Sequence, residues 1–430
     1  MRKALFLAYL WLQFLGITLP WARMRLEDLL LPVLLITVWK ELQKEGLRKN
    51  APLFAFLGYS LFATVVHIIQ AGSPASALFE WGVFAYGGLL FLAFRHSRLS
   101  DDCLWKNGAL MSALLFLCFL AYLGSSLFVP NHPPIFGMVS GKMGETAMPF
   151  LARRFTFLHG NPNMLGHAMA LPLLMLALPF FRKEFPSKRR LLASIGLMAA
   201  ILIPLVFTLS KHLVLSLGIL CAFLIVLIHR CLTSNGARQC VTACGLSALI
   251  AAGLLLETTV LFTTFPLKRD FPFINTVPGM YTIHQKAYWK INTSRLNLLG
   301  FPPSKATPLY QIFVDRDAAR QTLQHYNSEQ DLDTFCSFMD PHCEYLNLPF
   351  LFGFPALALA IAFLLFLPRH STIRLPAIFF VTALLFSMMW DDILSKRAIW
   401  LCLALLVPGE TVTPSDAKGD SDATLSPHHE

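Results

Sequence analysis

LLASIGLMAAILIPLVFTL (residues 191–209) and HLVLSLGILCAFLIVLIH (residues 212–229) are two apolar runs separated only by Ser210 and Lys211. Each is close to the ~20 apolar residues that a helix needs to cross a ~30 Å hydrocarbon layer. Two such runs joined by a two-residue turn predict a hairpin of antiparallel membrane helices. The hairpin therefore indicates a polytopic membrane protein.

The composition of the whole chain agrees with this class. Of its 430 residues, 55% are hydrophobic and 14% are charged, whereas a soluble domain averages about 25% charged residues. Such a chain has too little polar surface to cover a soluble globule, and it is not disordered, collagenous or a disulfide-rich miniprotein. We expect an all-α polytopic membrane protein.

Apolar stretches predict about twelve transmembrane helices, of which the second and the last are the shortest. They cover residues 4–20, 29–39, 51–70, 76–94, 108–128, 163–181, 191–209, 212–229, 241–262, 346–367, 375–390 and 393–407. The second stretch could instead be a tilted or re-entrant piece. No internal repeat is evident, which disfavours an inverted-repeat transporter.

Basic residues set the expected orientation. The net charge is +10, and Lys and Arg gather in alternate short loops, at residues 40–50, 95–107, 182–190, 230–240 and 368–374. Because Lys and Arg accumulate in cytoplasmic loops, both termini are expected in the cytoplasm. Arg23 and Arg25 lie against this bias. The positive charge therefore indicates topology, not nucleic-acid binding.

This topology divides the chain into four parts. Residues 1–262 hold spans one to nine, residues 263–345 form a large outer loop or cap, and residues 346–408 hold spans ten to twelve. Residues 409–430 are polar and lack a core, so a disordered cytoplasmic tail is expected.

Two spans that should begin at the outer face start with unusual polar residues. A helix start attracts anions through its free N–H groups and its dipole. Span six follows Arg154, with Asn161 as the expected N-cap and Asn163 in the first turn. Span eight follows Ser210, the expected N-cap, and Lys211. Both starts could bind phosphate, although Lys211 snorkelling to lipid headgroups explains its position equally well.

The start of span ten offers a base. Asp340 as N-cap and Pro341 in the first position would place His342 in the first turn, where the dipole favours a neutral imidazole. A neutral histidine can accept a proton at pH 7; an interfacial histidine without a partner is the alternative. Cys336 and Cys343 flank it, either as a disulfide or as two thiols.

These features suit a lipid-linked diphosphate substrate. The lipid of such a substrate needs a membrane, and its diphosphate needs positive charge. The outer loop adds two candidate cations, Lys286 and Arg295. The acceptor hydroxyl must lose its proton to a base. No carboxylate pair with metal-binding spacing and no Walker motif is present. We therefore expect a reaction that uses neither a metal nor a cofactor.

In their order and topological place, these pieces resemble the O-antigen ligase / O-antigen polymerase superfamily of bacterial inner-membrane glycosyltransferases. The resemblance runs from about span five to the C-terminus. Its motifs are Arg154 to Asn163-Met-Leu-Gly166, the Thr208-Leu-Ser210-Lys211 turn, Trp289 through Gly300-Phe-Pro, and His342 followed after ten residues by Gly353.

The resemblance implies a ligase with its active site facing the periplasm. Such an enzyme joins a glycan from undecaprenyl diphosphate to a sugar hydroxyl of the lipid A–core, with inversion and without metal or nucleotide. His342 would be the base. The implied diphosphate-binding residues are Lys211, Arg154, Lys286 and Arg295, supported by Asn161, Asn163, Ser210 and Gly353. The partners would be these two substrates and membrane lipids, not nucleic acid.

Two positions depart from the family pattern. Lys211 stands where the family has Arg, which removes the bidentate fork but keeps the charge. Gln285 stands about four residues before Trp289, where the family has Arg, with Lys286 beside it. These changes leave the loop residue that completes the phosphate site open, and Arg295 is one candidate.

Several alternatives remain. An O-antigen polymerase and a protein O-glycosylating relative would share the topology and the chemistry. A transporter of lipid-linked sugars, from another class, would predict charges at mid-membrane and broken helices. A receptor-like or structural membrane protein would not require the polar residues at three helix starts.

Overall fold

The computed structural model describes most of the chain. The described residues are 1–17, 25–45, 48–129, 134–139, 153–182, 187–208, 210, 213–257, 272–325, 331–337, 341, 343–389 and 391–408. Among them the only sheet is a short antiparallel pair, β1 (Gly137–Val139) and β2 (Arg153–Phe155), with Met138 opposite Arg154. The all-α class is therefore confirmed.

Within the described residues, seven helices, α3 to α9, are long and apolar enough to cross a membrane. They are α3 (Ala51–Ala71), α4 (Pro74–Arg95), α5 (Asp101–Phe128), α6 (Pro162–Phe181), α7 (Lys188–Thr208), α8 (Leu213–Cys231) and α9 (Asn235–Glu257). They correspond to predicted spans three to nine, so the protein is embedded in a membrane.

The other predicted spans correspond to shorter helices. These are α1 (Arg2–Leu15), α2 (Leu31–Glu45), α14 (Glu344–Phe352) with α15 (Phe354–His370), α16 (Arg374–Ser387) and α17 (Arg397–Leu406). Predicted span ten is thus two helices that meet at Gly353. The total of twelve spans stays a prediction, as does the disordered tail, which lies outside the described residues.

The outer loop contains further helices, as its mixed polar and aromatic sequence predicts. They are α10 (Pro272–Thr293), α11 (Ala306–Phe313), α12 (Arg316–His325) and α13 (Leu332–Phe335). Residues 263–271, 326–330, 338–340 and 342 of this loop lie outside the described residues.

Two helices begin earlier than their apolar residues predict. Helix α5 starts at Asp101, not at residue 108, because the Ser100 hydroxyl accepts the N–H of Cys103 (3.3 Å) and Asp101 and Asp102 complement the helix dipole. Helix α9 starts at Asn235, not at residue 241. Hydropathy marks only the part of a helix that lies in lipid, and both helices extend beyond it.

Helix α6 is the centre of the bundle. In its most apolar window 89% of the residues are buried, whereas no other candidate span exceeds 56%. It packs against α5, α7, α8 and α17. Gly108 of α5 lets the α5 and α6 backbones approach closely, since a Cβ there would lie 3.0 Å from the Cβ of Met175. The residues just before α6 are therefore fixed by the most rigid element of the fold.

Ion pairs gather at one end of the bundle, called here the basic end, where α1 begins and α2 and α4 end. Glu45 accepts hydrogen bonds from Arg95 (2.8 Å) and from Nε2 of His96 (2.9 Å). Arg2 pairs with Glu41 at 2.7 Å. Burial alone would raise the pKa of Glu45, but the His96 hydrogen bond and the Arg95 charge lower it to about 2. These contacts hold three helix ends together.

Glu45 makes the stability of the basic end depend on pH. Because its folded pKa lies below the ordinary value of 4.5, its contribution is complete above pH ~4.5 and is lost as the pH falls toward ~2. We expect Glu45→Gln to cost at most about 3 kcal/mol at pH 7 and to flatten the fall in unfolding temperature across this window.

The measurement is thermal unfolding in detergent at several pH values. Asp317→Asn is the matched control, because its exposed carboxylate pairs with Arg320 (3.4 Å) within loop helix α12, away from the basic end, and it should keep the wild-type profile. A Glu45→Gln profile identical to that of the wild type would contradict the prediction.

Candidate functional site

Arg154 joins the start of α6 to the end of α7, at the end of the bundle opposite the basic end, called here the loop end. Its Nε donates to the carbonyl of Thr208 (2.8 Å) and its Nη2 donates to Oδ1 of Asn163 (3.2 Å). The Thr208 carbonyl is one of the acceptors that a helix terminus leaves without an intrahelical partner. Two motifs predicted from distant parts of the sequence are therefore direct neighbours.

The other residues of these motifs lie close by. Asn161 caps α6, as predicted, because its side-chain oxygen accepts the N–H of Asn163 at 2.8 Å. Ser210 is buried, and its N–H donates to Oγ1 of Thr208 (3.2 Å). Helix α8 begins at Leu213, three residues after Ser210. Lys211 lies outside the described residues.

Predicted span ten breaks at Gly353. This residue has a φ of +89°, which favours glycine, and a Cβ there would overlap the carbonyl of Leu298 in the outer loop. The sequence predicted a supporting role for Gly353 from the family pattern, and the structure supplies a physical reason for a glycine. It allows the loop backbone to touch the broken helix.

The loop segment 297–301 fills this break. Its Phe301 N–H donates to the carbonyl of Phe350 (2.8 Å), and its Asn297 carbonyl accepts the N–H of Phe354 (3.0 Å). The Asn297 side-chain Nδ2 also donates to the carbonyl of Pro349 (2.8 Å). We call this set of contacts across Gly353 the Asn297 clamp. It pairs the Phe350 carbonyl and the Phe354 N–H, which the helix break would otherwise leave unsatisfied.

Helix α10 lies beside the residue that precedes His342. Nε2 of Gln285 is 3.5 Å from the carbonyl of Pro341. Gln285 is the residue that stands in place of the family Arg, and its neighbour Lys286 is exposed. His342 lies outside the described residues. The structure thus places the loop helix and residue 341 together.

Arg295 belongs to the neighbourhood of the clamp. Its guanidinium lies 4.6 Å from the centre of the Phe301 ring, and its Nη2 donates to the carbonyl of Gly300 at 3.5 Å. Among the predicted site residues, Arg295 and Gly353 therefore form one group, and Arg154, Asn161, Asn163 and Ser210 form another. The described contacts do not join these two groups directly.

A connector that follows α16, residues 388–397, links the starts of α6 and α14. Nε2 of His167, in α6, lies 3.2 Å from Oδ2 of Asp391. Glu344, fully buried, donates its N–H to the carbonyl of Met388 (2.8 Å), and its Oε2 accepts the N–H of Leu394 (3.1 Å). The 388–397 connector therefore brings the start of α14, at Glu344, and the start of α6 to the same end.

The same end holds an ion pair between buried Asp28 and half-buried Arg397, which the sequence analysis missed. Oδ1 and Oδ2 of Asp28 accept hydrogen bonds from Nε and Nη2 of Arg397 (2.8 and 2.7 Å). Arg25 and Glu27 are neighbours of Asp28 in the chain. Nη1 of Arg25 lies 3.7 Å from Oε1 of Glu27. The signal in the sequence that could have found this pair is the presence of charged residues next to membrane spans. Buried ionisable residues there are rare, and they mark functional or structural sites.

Burial also fixes a protonation state before α6. Burial and the nearby Arg25 charge lower the pKa of His159 to about 4, so its imidazole is neutral at pH 7. Its Nε2 lies 3.0 Å from the carbonyl of Phe14 and therefore donates a hydrogen bond to it. Burial raises the pKa of Glu27. The loop end therefore holds a neutral His159 imidazole at pH 7.

Neither metal ligands nor a disulfide is found at this end. In the described part of the chain, no group of three or more His, Cys, Asp and Glu side chains could hold a metal ion. Cys336 is buried and carries a free thiol, so no bond joins it to Cys343. The open question of the two cysteines is settled in favour of thiols in this structure.

No model of a known protein family matches the chain, and no curated protein matches it. The resemblance to the O-antigen ligase superfamily therefore rests on the motifs, and the function stays a proposal.

The clamp predicts that Gly353→Ala destabilises the protein. The added Cβ would meet the Leu298 carbonyl in a backbone conformation that alanine rarely adopts, and we expect a loss of roughly 2–4 kcal/mol. Gly58→Ala is the matched control, because a Cβ at Gly58, also in a predicted span, meets no atom within 4 Å. Thermal unfolding in detergent decides the matter. Equal unfolding temperatures of the two variants would contradict the prediction, because they would show that the clamp accommodates a Cβ at position 353 without loss of stability.

Proposed function

We propose that the protein is a membrane glycosyltransferase of the O-antigen ligase type. It would move a glycan from undecaprenyl diphosphate to the lipid A–core of lipopolysaccharide. The observation that carries the proposal is the contact of Arg154 with both Asn163 and Thr208. It unites two of the motifs on which the resemblance rests, beside the start of membrane helix α6, a position suited to an anion.

The proposed reaction needs one base and one anion site. His342 takes the proton of the acceptor hydroxyl, and the oxygen attacks the anomeric carbon opposite the diphosphate. The bond from that carbon to the diphosphate oxygen breaks, and undecaprenyl diphosphate leaves with the bonding electrons. Cations at Lys211, Arg154, Lys286 and Arg295 stabilise the leaving charge. The anomeric configuration inverts.

The 388–397 connector suggests how the base is positioned. Glu344 is two residues from His342 and is held by the connector through both its backbone and its carboxylate. The connector in turn contacts His167 of α6. In the proposed enzyme these contacts set the distance between the base and the anion site, which a transfer reaction requires to be well defined.

The proposed setting is the bacterial inner membrane. The basic end carries Arg2, Arg95, Arg98, Arg182 and Arg190, which supports placing it in the cytoplasm. The loop end would then face the periplasm, where lipid-linked glycans are transferred. Twelve spans with both termini in the cytoplasm complete this proposal.

A polymerase of the same superfamily is the second candidate, and the spacing from His342 to Gly353 favours the ligase.

The break at Gly353 also bears on the transporter alternative, for which broken helices are expected. Here the break is filled by the Asn297 clamp. A filled break favours a fixed scaffold over a substrate path.

The test is a deletion strain examined by lipopolysaccharide gel, complemented with wild-type protein or with His342→Ala. We expect loss of the O-antigen ladder, retained core and polymer accumulating on the lipid carrier, with rescue by the wild type alone. A core that bears a single repeat would indicate a polymerase. Unchanged lipopolysaccharide, or full rescue by His342→Ala at equal membrane abundance, would contradict the proposal.

Lys211 gives a quantitative prediction. A lysine at a helix start opposes the dipole, whereas a bound diphosphate makes the dipole, the N–H groups and the ammonium act together. Lys211→Ala should lose ~10- to 100-fold in transfer rate, the equivalent of about 1.5–3 kcal/mol for one charge-assisted contact. Lys211→Arg should retain activity or improve it.

The measurement is transfer by purified protein in lipid vesicles. Lys106→Ala, a change at the basic end where Lys106 pairs with Asp102, is the control and should behave as wild type. Turnover of Lys211→Ala equal to that of the control would mean that Lys211 only reaches lipid headgroups.

A further inference from the structure

The Asn297 clamp reaches deep along membrane helix α3. The Tyr59 hydroxyl donates to the carbonyl of Leu298 at 2.6 Å. Tyr59 lies twelve residues before Ala71, where α3 ends, and at 1.5 Å per residue this is about 18 Å of helix. A tyrosine side chain is much shorter than that distance. Leu298 therefore lies well below the loop-end terminus of a membrane span.

A contact with a second membrane helix, α4, indicates the same depth for the clamp. Phe352, the residue before Gly353, packs edge-on against Phe84, with 5.6 Å between the ring centres. Phe84 lies at the middle of α4 (Pro74–Arg95), whose length matches a ~30 Å hydrocarbon layer. Because the clamp is built on residues 349–354, it also lies near the middle of the membrane.

The chain descends to this level beside α14. Nδ2 of Asn292 donates to the carbonyl of Leu346 (2.9 Å), and Nδ2 of Asn297 donates to the carbonyl of Pro349, farther along the same helix. The segment then turns at Gly300, whose N–H donates to Oδ1 of Asn297 (2.9 Å). Its path runs from the loop into the bundle.

Irregular backbone can lie at this depth only if its polar groups have partners within the protein. The N–H groups of Gly300 and Phe301 and the carbonyls of Asn297 and Leu298 are all hydrogen-bonded. Asn297 itself is only 2% exposed. These four groups therefore meet the condition for backbone polar groups inside a bilayer.

Two leucines of the segment point away from the protein. Leu296 is 83% exposed and Leu298 is 49% exposed. On α3, which carries Tyr59, the apolar residues Phe62 and Ile69 are also exposed, by 55% and 79%. An exposed apolar side chain on a membrane span faces lipid, so the leucines extend a lipid-facing surface.

We propose that residues 296–301 form a re-entrant segment inside the membrane, with Leu296 and Leu298 in contact with the hydrocarbon chains of bilayer lipids. The predicted outer loop is then not wholly outside the membrane. This proposal depends on the membrane spans and on the clamp, not on glycan transfer. Its success or failure is therefore separate from that of the proposed function.

The test places an environment-sensitive fluorescent amino acid at position 296 by amber suppression, in the full chain in lipid nanodiscs. Two matched sites are labelled in the same way: Phe62 as the lipid-facing reference and Arg320, exposed on α12 beside Asp317, as the water-facing reference. All three side chains are exposed, so labelling disturbs no core packing. Size-exclusion chromatography confirms that each labelled protein is folded.

We expect lipids with a quencher deep in their chains to quench the label at 296 several-fold more than the label at 320, and as strongly as the label at 62. Aqueous iodide should quench only the label at 320. Quenching at 296 by iodide, or mainly by lipids with the quencher near the headgroup, would overturn the proposal.

Discussion

The contact between Asn297 and the break at Gly353 constrains the rest of the loop end. A membrane helix that breaks leaves N–H and carbonyl groups that lipid cannot satisfy. Here the side chain and backbone of Asn297 pair with Pro349 and Phe354 on the two sides of the break. The break and the loop therefore stabilise each other, and neither conformation is expected without the other.

The clamp also determines where the proposed chemistry lies. It fixes α14, whose first residue, Glu344, is bound by the 388–397 connector. The connector reaches His167 in α6, and α6 begins beside Arg154. The Asp28–Arg397 pair strengthens this arrangement, because Asp28 is buried and Arg397 donates two hydrogen bonds to its carboxylate. A fixed loop end suits a transfer reaction.

Hydropathy predicted the parts of the fold that lie in lipid, and these are the parts confirmed. Spans three to nine are apolar over the thickness of a membrane, so composition alone located them. The starts of α5 and α9 were missed because their first turns are polar and extend past the lipid. The break at Gly353 was missed because residues 346–367 form one apolar run, although the family pattern had singled out the glycine. Asp28 and Arg397 are 369 residues apart, and no local pattern joins such a pair.

Hydrogen exchange of the full chain in nanodiscs tests the clamp most directly. In the wild type, the amides of Phe301 and Phe354 should exchange slowly, because both are donors in the clamp. In Asn297→Leu, which keeps the side-chain size but removes the amide, both should exchange at least tenfold faster, while the amides of α6 stay unchanged. Rapid exchange of Phe301 and Phe354 in the wild type would contradict the account.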